Sequence, residues 1–220
     1  MRLSILCVTN GKPYALPFLR SMEEIGRCLD AEVVLVADGE RAYTDLREEG
    51  LDVRTQVTSA GFLESVLDQA LLSTHGDYVL RLDDDEALPD EFVVWLGGLN
   101  YEAHPHWKFA RAHLWPDVEH YLPIAPLWPD HQTRLSLREL SGGRHTMHVA
   151  SPHGTGVLAP VALEHHKFIA RSYEERHRLI AHRDNIAAGM GSDVFLPFNC
   201  PEDAGLTHAD CAPWFGVVEA

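Results

Sequence analysis

Tyr78-Val79-Leu80-Arg81-Leu82-Asp83-Asp84-Asp85-Glu86-Ala87-Leu88-Pro89 is the stretch on which the fold turns. Tyr78, Val79, Leu80 and Leu82 form an apolar, β-prone run, which predicts a strand. The run stops at four consecutive acidic residues, and a helix is expected from Pro89 or Asp90. Adjacent carboxylates repel one another. The run by itself therefore predicts an equal or higher thermal midpoint for Asp85→Asn. A hard divalent cation, Mn²⁺ or Mg²⁺, would remove the repulsion, because both prefer carboxylate oxygen. Alternate residues of an extended segment share a face, so Asp83 and Asp85 are expected to share one ion while Asp84 points elsewhere. The plain alternative is a solvated acidic turn capping the helix. A strand feeding directly into the run favours the metal.

Upstream, the same pattern repeats. Leu3 to Val8 reads as a strand rather than a signal peptide, since no small-residue cleavage site follows it. Residues 14–29 carry Ala15, Leu19, Met22, Gly26 and Leu29 at helical spacing. Val33-Val34-Leu35-Val36 predicts a strand buried on both faces, ending at Asp38. A short helix over 41–49, a weak strand over 53–57 and a helix over 61–73 complete the series. This β-α-β-α-β-α-β order predicts an α/β fold with an open, mostly parallel sheet and helices on both faces. Such sheets bind ligands at the carboxyl ends of their strands. Thr9 and Asn10, Asp38, and Asp83 to Asp85 all fall at such ends. Neither a G-x-G-x-x-G nor a G-x-x-x-x-G-K-[ST] follows the first strand, so dinucleotide and P-loop sites are not indicated.

Downstream the character changes. A helix is expected over 90–100 and a strand over 108–112. Residues 115–130 contain Trp-Pro-Asp twice, at 115–117 and 128–130, and four prolines, which predicts an irregular loop. Trp115, Tyr121 and Trp128 in that loop suit either a wall for a sugar ring or plain hydrophobic packing. Thr133 to Leu137 reads as a strand, 141–160 as a glycine- and histidine-rich loop, and Val161 to Leu163 as a short strand. Ser172 and Glu175 form a capping box opening a helix to about Ala188. The expected organisation is one domain over 1–190, with a donor-side half to 100 and an acceptor-side half from 101. Residues 191–220 are expected to form a tail.

Hydrophobic residues make up 45% of the 220, ample for a core, and no apolar run nears the ~20 a membrane helix needs. Four cysteines without a C-x-x-C pair point to a reduced, cytoplasmic protein. The net charge of -15 disfavours nucleic acid as a partner. Residues 1–100 hold 8 basic and 19 acidic side chains, net -11, whereas residues 134–183 hold 8 basic and 4 acidic, net +4. An acidic, metal-binding half beside a basic segment suits a metal-bound phosphate ligand. Twelve of the 14 histidines lie between His104 and His182, without the spacing of a metalloprotease.

Three segments together resemble the GT-A glycosyltransferases, specifically the inverting group called family 2. Leu80-Arg81-Leu82-Asp83-Asp84-Asp85-Glu86 is similar to the D-x-D motif of that family. Trp128-Pro129-Asp130-His131-Gln132-Thr133-Arg134-Leu135 is similar to its acceptor-side D-x-Q-x-R-L segment. His165-His166-Lys167-Phe168 followed by Ser172-Tyr173-Glu174-Glu175-Arg176 is similar to its late H-x-K-aromatic segment. The resemblance implies a GT-A, Rossmann-like fold that binds a nucleotide-diphosphate sugar, a UDP- or GDP-sugar. It implies that Asp83 and Asp85 hold Mn²⁺ or Mg²⁺, with His165 or His166 as a late ligand. Thr9, Asn10, Asp38 and Asp84 would lie on the donor side. Asp130 would be the general base, and Arg134 would orient Asp130 or a donor phosphate. Trp115, Asp117 and Trp128 would lie near the acceptor, a glycan, a lipid-linked sugar or a protein. The strand-two ending and Leu67-Asp68-Gln69 depart from the family pattern. A nucleotidyltransferase and an inactive nucleotide-sugar-binding protein are the alternatives.

Overall fold

Strands β1 (Leu3–Thr9), β2 (Glu32–Asp38), β3 (Val53–Val57) and β4 (Tyr78–Leu82) run parallel, in the spatial order β3-β2-β1-β4. In the computed structural model, which describes residues 2–142, 156–186 and 199–216, all of β1 is buried between its neighbours. Alternation then sorts two cores. Leu3, Ile5 and Cys7 join Leu35, Leu80 and Leu82 on one face, where α1 (Leu16–Leu29) contributes Leu19 and Met22 and α2 (Glu40–Glu48) contributes Leu46. Leu6 and Val8 join Val34, Val36 and Val79 on the other, under Ala70 and Leu71 of α3 (Leu67–Leu71). Full burial of one such side chain is worth roughly 1.5–3 kcal/mol. A strand apolar on both faces is therefore driven to the centre of the sheet. Gly76 permits the turn before β4, since a Cβ there would stand 2.6 Å from the Ser4 nitrogen.

The helix expected over 61–73 is shorter than its apolar stripe suggests. Leu63–Val66 is a 3-10 turn, and only Leu67–Leu71 is α-helical. Ser65 donates its hydroxyl to the Phe62 carbonyl and accepts from the Ala60 N–H, so a side chain competes with the backbone for the first turn. By contrast, the capping box at Ser172 and Glu175 forms as expected and opens α5 (Tyr173–Ile186).

The second half of the sheet is mixed. β8 (Gln132–Leu137) runs antiparallel to β4, β6 (His106–His113) antiparallel to β8, and β9 (Val157–His165) parallel to β6. β5 (Glu86–Ala87) closes the row, antiparallel to β9, with Glu86 opposite His165. In a flat sheet β5 would lie four interstrand steps from β4, about 19 Å. Yet the Glu86 N–H donates to the Asp83 carbonyl at 3.1 Å, a tight turn. The sheet must therefore curl until β9 and β5 close over the end of β4. The acidic run is the hinge of that closure. α4 (Asp90–Gly97) follows and seals the same side with Phe92 and Leu96.

The loop over 115–130 is irregular, apart from β7 (His120–Tyr121). β9 begins at Val157, earlier than expected, and the rest of the expected loop over 143–155 lies outside the described residues. Of the expected tail, 191–198 and 217–220 also lie outside them. Residues 199–216 pack onto the body: β10 (Ala212–Pro213) pairs with β7, and Trp214 is buried against Ala110, Ala112 and Ala162. Among the described residues no helix is long and apolar enough to cross a membrane.

Candidate active site at the sheet's carboxyl edge

A cleft of about 680 Å³ opens where β1, β2 and β4 end. Thr9, Asn10 and Asp38 line one side, Asp83, Asp84 and Asp85 the middle, and Asp130, Arg134 and His165 the other. The strand ends thus bring together most of the residues that the sequence singled out. Five lie outside the lining, Tyr121 among them. Trp115 packs with Leu122, Leu127 and Phe168, and Trp128 packs against Tyr121 and Trp214. Asp117 is exposed and bonded to His120. His166 turns to Glu164 and packs at a tilt against the Phe18 ring.

The curl hands each acidic residue to a different strand. Asp83 meets Arg134 of β8, whose Nη2 donates to Oδ2 at 2.5 Å. Arg134 Nη2 also donates to Glu86 at 2.6 Å, as does Arg111 Nη1 at 3.0 Å. Asp84 accepts from the Thr9 hydroxyl at 2.7 Å. Asp85 faces His165, with Nε2 3.3 Å from Oδ1, and Arg171, with Nη2 2.8 Å from Oδ2. Burial raises all three aspartates, but Arg134, Arg81 and Arg111 hold Asp83 below its ordinary value. Arg171 and His165 likewise hold Asp85 well below. At Asp84 the compensation is weaker: burial and the charge of Asp85 outweigh Arg171, 3.7 Å away, and the Thr9 hydroxyl, and push it up to about 7. The expected repulsion within the run is thus concentrated at Asp84.

Asp130 sits at the foot of β8. Arg111 Nε and Nη2 donate to its Oδ2 at 2.9 and 2.5 Å, and Gln132 Nε2 donates to Oδ1 at 2.6 Å. His113 Nε2 is 3.0 Å from Oδ2. Burial opposes the charge, yet His113 and Arg111 outweigh it and hold the carboxyl far below the usual range. Of the two roles expected of Arg134, orienting Asp130 falls to Arg111 instead, because β6 lies beside β8 and Arg134 is paired with Asp83 and Glu86; the other, near a donor phosphate, agrees with its place in the cleft lining.

Donor chemistry at Asp85 and His165 fits a hard cation. Two adjacent ligands each ~2.1 Å from an octahedral ion stand about 3 Å apart, close to the 3.3 Å between Asp85 Oδ1 and His165 Nε2. Burial and Arg111 hold the imidazole well below its ordinary pKa, hence neutral, as a ligand must be. Asp83 does not join them: Asp83, Asp85 and His165 do not gather their ligating atoms within 4.8 Å. Asp83 would have to turn from Arg134 to share the ion. Asp117 gathers instead with His120 and His208, none of which lines the cleft.

Sequence reading missed Arg81, Arg111, His113, Lys167 and Arg171 as site residues. Arg111 and His113 alternate on one strand, and Lys167 and Arg171 belong to the basic segment, but only the register of β6 and β9 aims them at the acidic turn. Arg81 Nε and Arg134 Nε are buried with no hydrogen-bond partner among the described residues.

No family model matches the chain, and no curated protein matches it. Among solved structures it is similar to TarS 1-349 of S. aureus, at 14% identity and a TM-score of 0.49, over 94% of this chain and 75% of that one. A TarS 1-349 complex with UDP-GlcNAc aligns over 84% and 67%, at 15% identity and a TM-score of 0.43. Glucosyl-3-phosphoglycerate synthase from Mycobacterium tuberculosis aligns over 64% and 58%, at 19% identity and a TM-score of 0.45. A nucleotidyl transferase from Methanothermobacter thermautotroptrophicus aligns over 63% and 73%, at 15% identity and a TM-score of 0.38.

Proposed function

We propose that the chain is a glycosyltransferase that moves a sugar from a nucleoside diphosphate donor to an acceptor hydroxyl with inversion. One observation carries the reading: the cleft sets an acidic turn, Asp83 to Asp85, against Arg81, Arg111, Arg134, Lys167 and Arg171, with Asp130 at its far side. An anionic diphosphate and a hard cation would each find their complement there. Thr9, Asn10 and Asp38 lie at the ends of β1 and β2, where the nucleoside would sit. Asp38 is already fixed, accepting from the Ser59 N–H at 2.8 Å and the Ser59 hydroxyl at 2.6 Å.

Mn²⁺ or Mg²⁺ would be held by Asp85 and His165, with Asp83 as the further ligand, and would supply positive charge to the leaving diphosphate. Arg171 and Lys167 border the same place and would bind phosphate oxygens. Burial and Arg111 hold the Lys167 ammonium well below its ordinary pKa. An incoming anion would restore its charge. Asp130 Oδ2 is saturated by Arg111 and His113, so Oδ1 is the oxygen that would take the acceptor's proton. So stable a carboxylate is a weak base. It would act late, once the attacking hydroxyl has been acidified by bond formation to the sugar carbon. A single carboxylate opposite the leaving group gives one displacement and inversion.

The test is incubation with a panel of UDP- and GDP-sugars, with and without Mn²⁺. Nucleoside diphosphate release is the expected product. Pyrophosphate release from a nucleoside triphosphate and sugar phosphate would instead show a nucleotidyltransferase, and binding without turnover an inactive binder. Equal turnover in EDTA would remove the metal from the reading.

A further inference from the structure

Residues 199–216 meet the body through two groups of candidate metal ligands among the described residues: His208 with Asp117 and His120, and Cys200 and Asp203 with His177. Only the second includes a thiol. None of its three members lines the cleft, although Leu179, His182 and Arg183 on the same helix as His177 do.

Local structure brings the second group together. Tyr173 and His177 stand one turn apart on α5, with ring centroids 4.5 Å apart. Cys200 and Asp203 end a tight turn, closed by the Asp203 N–H donating to the Cys200 carbonyl at 3.1 Å. Arg176, buried on the same helix, donates from Nη2 to Glu202 at 2.5 Å and so fixes the turn against α5. The ligating atoms of His177, Cys200 and Asp203 then lie within 4.8 Å of one another. The Tyr173 hydroxyl donates to Asp203 Oδ1 at 2.6 Å, which leaves Oδ2 facing His177 Nε2 at 2.7 Å.

A hydrogen-bonded ion pair does not account for that last contact. His177 Nε2 is shut from solvent and has no hydrogen-bond partner among the described residues. At 2.7 Å from a carboxylate oxygen the distance suits a hydrogen bond, so it is the direction that fails. Two ligands of one ion stand in this relation whatever protons they carry beforehand: each aims at the ion, not at the other. The buried Cys200 thiol is the third donor.

We propose that His177, Cys200 and Asp203 form a zinc site that fastens residues 199–216 to α5. Thiolate, imidazole and carboxylate together suit Zn²⁺, and a thiolate disfavours Mg²⁺ and Ca²⁺. Tetrahedral ligands ~2.0–2.3 Å from zinc stand roughly 3.3–3.5 Å apart, so Asp203 Oδ2 has to draw back from His177 by about half an ångström. Tyr173 is the outer partner that orients the Asp203 carboxylate. Glu202 is engaged by Arg176, and the fourth position falls to water. Binding passes the Cys200 thiol proton to solvent. The site does not depend on the glycosyltransferase reading.

The test is titration of the full chain, stripped of metal by chelation and kept reduced, with Co²⁺ as a spectroscopic stand-in for Zn²⁺. The parent is expected to develop a thiolate-to-cobalt charge-transfer band, and Zn²⁺ should abolish it. The candidate cation site at Asp85 and His165 holds no thiol and is silent in this band. Cys200→Ser should lose the band. His177→Gln keeps the thiol, and its half-saturating Co²⁺ concentration should rise by roughly 100-fold or more, past the range typical of a mere outer partner. Zn²⁺ should slow proteolysis within 199–216 in the parent but not in Cys200→Ser. No band in the parent at saturating Co²⁺ would overturn the proposal, and this measurement needs no variant to fold. A band that persists in folded Cys200→Ser would overturn it by pointing to another thiol. Unchanged half-saturation in folded His177→Gln would overturn it too, reducing the His177–Asp203 contact to an ion pair.

Discussion

Arg111 grips a single oxygen of Asp130, with Nε 2.9 Å and Nη2 2.5 Å from Oδ2, and leaves Oδ1 to Gln132 and the cleft. Asp130→Asn should therefore cut turnover by roughly 10²–10⁴-fold, the usual range for loss of a general base. Donor affinity, measured by calorimetry, should stay within about threefold, because the proposed reading puts the nucleoside at Thr9, Asn10 and Asp38, whereas Asp130 is bonded to Arg111, His113 and Gln132. Turnover within tenfold of the parent would remove Asp130 from the base role, and Asp117 would then be the next residue to test.

Asp130 also dictates a pH dependence. Its carboxyl is held far below the usual range by His113 and Arg111. A depressed carboxyl contributes stability that is present above the unfolded pKa of ~3.9 and is lost as pH falls through the folded value. Urea unfolding of the parent and of Asp130→Asn should thus differ most at pH 7. The gap should close as pH drops below about 4, and a gap independent of pH would contradict the linkage.

Neighbours in the acidic turn should respond with opposite signs. Asp85 is paired with Arg171 and His165, so Asp85→Asn in metal-free buffer should destabilise by roughly 3–5 kcal/mol, as for other broken buried pairs. This reverses the expectation from the bare sequence, in which removing one of four adjacent charges relieves repulsion. Relief should come instead at Asp84, pushed up to about 7 by burial and Asp85. A raised carboxyl loses its contribution as pH rises through that value. Asp84→Asn should raise the thermal midpoint at pH 8 and change it little at pH 5. Equal effects of the two variants at pH 8 would refute the assignment.

Trp214 ties residues 199–216 to the body, donating from Nε1 to Glu164 at 2.9 Å and filling the space under Ala110, Ala112 and Ala162. Trp214→Ala should cost about 3–5 kcal/mol, the range for removing a buried tryptophan. Limited proteolysis should then cut first in this segment. An unshifted midpoint would mean that the segment docks without stabilising the fold.

Much of this architecture is legible in the chain. Apolar runs such as Val33 to Val36 and Leu3 to Val8 specify buried strands because burial and two-residue alternation act locally. The capping box at Ser172 and Glu175 and the alternation of Asp130 with Gln132 are equally local, and both form. Lateral partners are another matter. Arg134, four residues from Asp130, suits either that carboxylate or a donor phosphate, yet it is Arg111 that holds Asp130, while Arg134 reaches back to Asp83 and Glu86. Nothing local distinguishes the two arginines; the β6–β8–β4 order does. The choice between His165 and His166 is likewise one of register. A slip of one residue along β9 would exchange their faces. The pairing of Glu86 with His165 and of His113 with His165 turns His165 toward Asp85 and sends His166 to Glu164. The repulsion written into Asp83-Asp84-Asp85-Glu86 is real in the chain. It is cancelled only when the sheet curls and carries arginines from distant strands and helices to meet it.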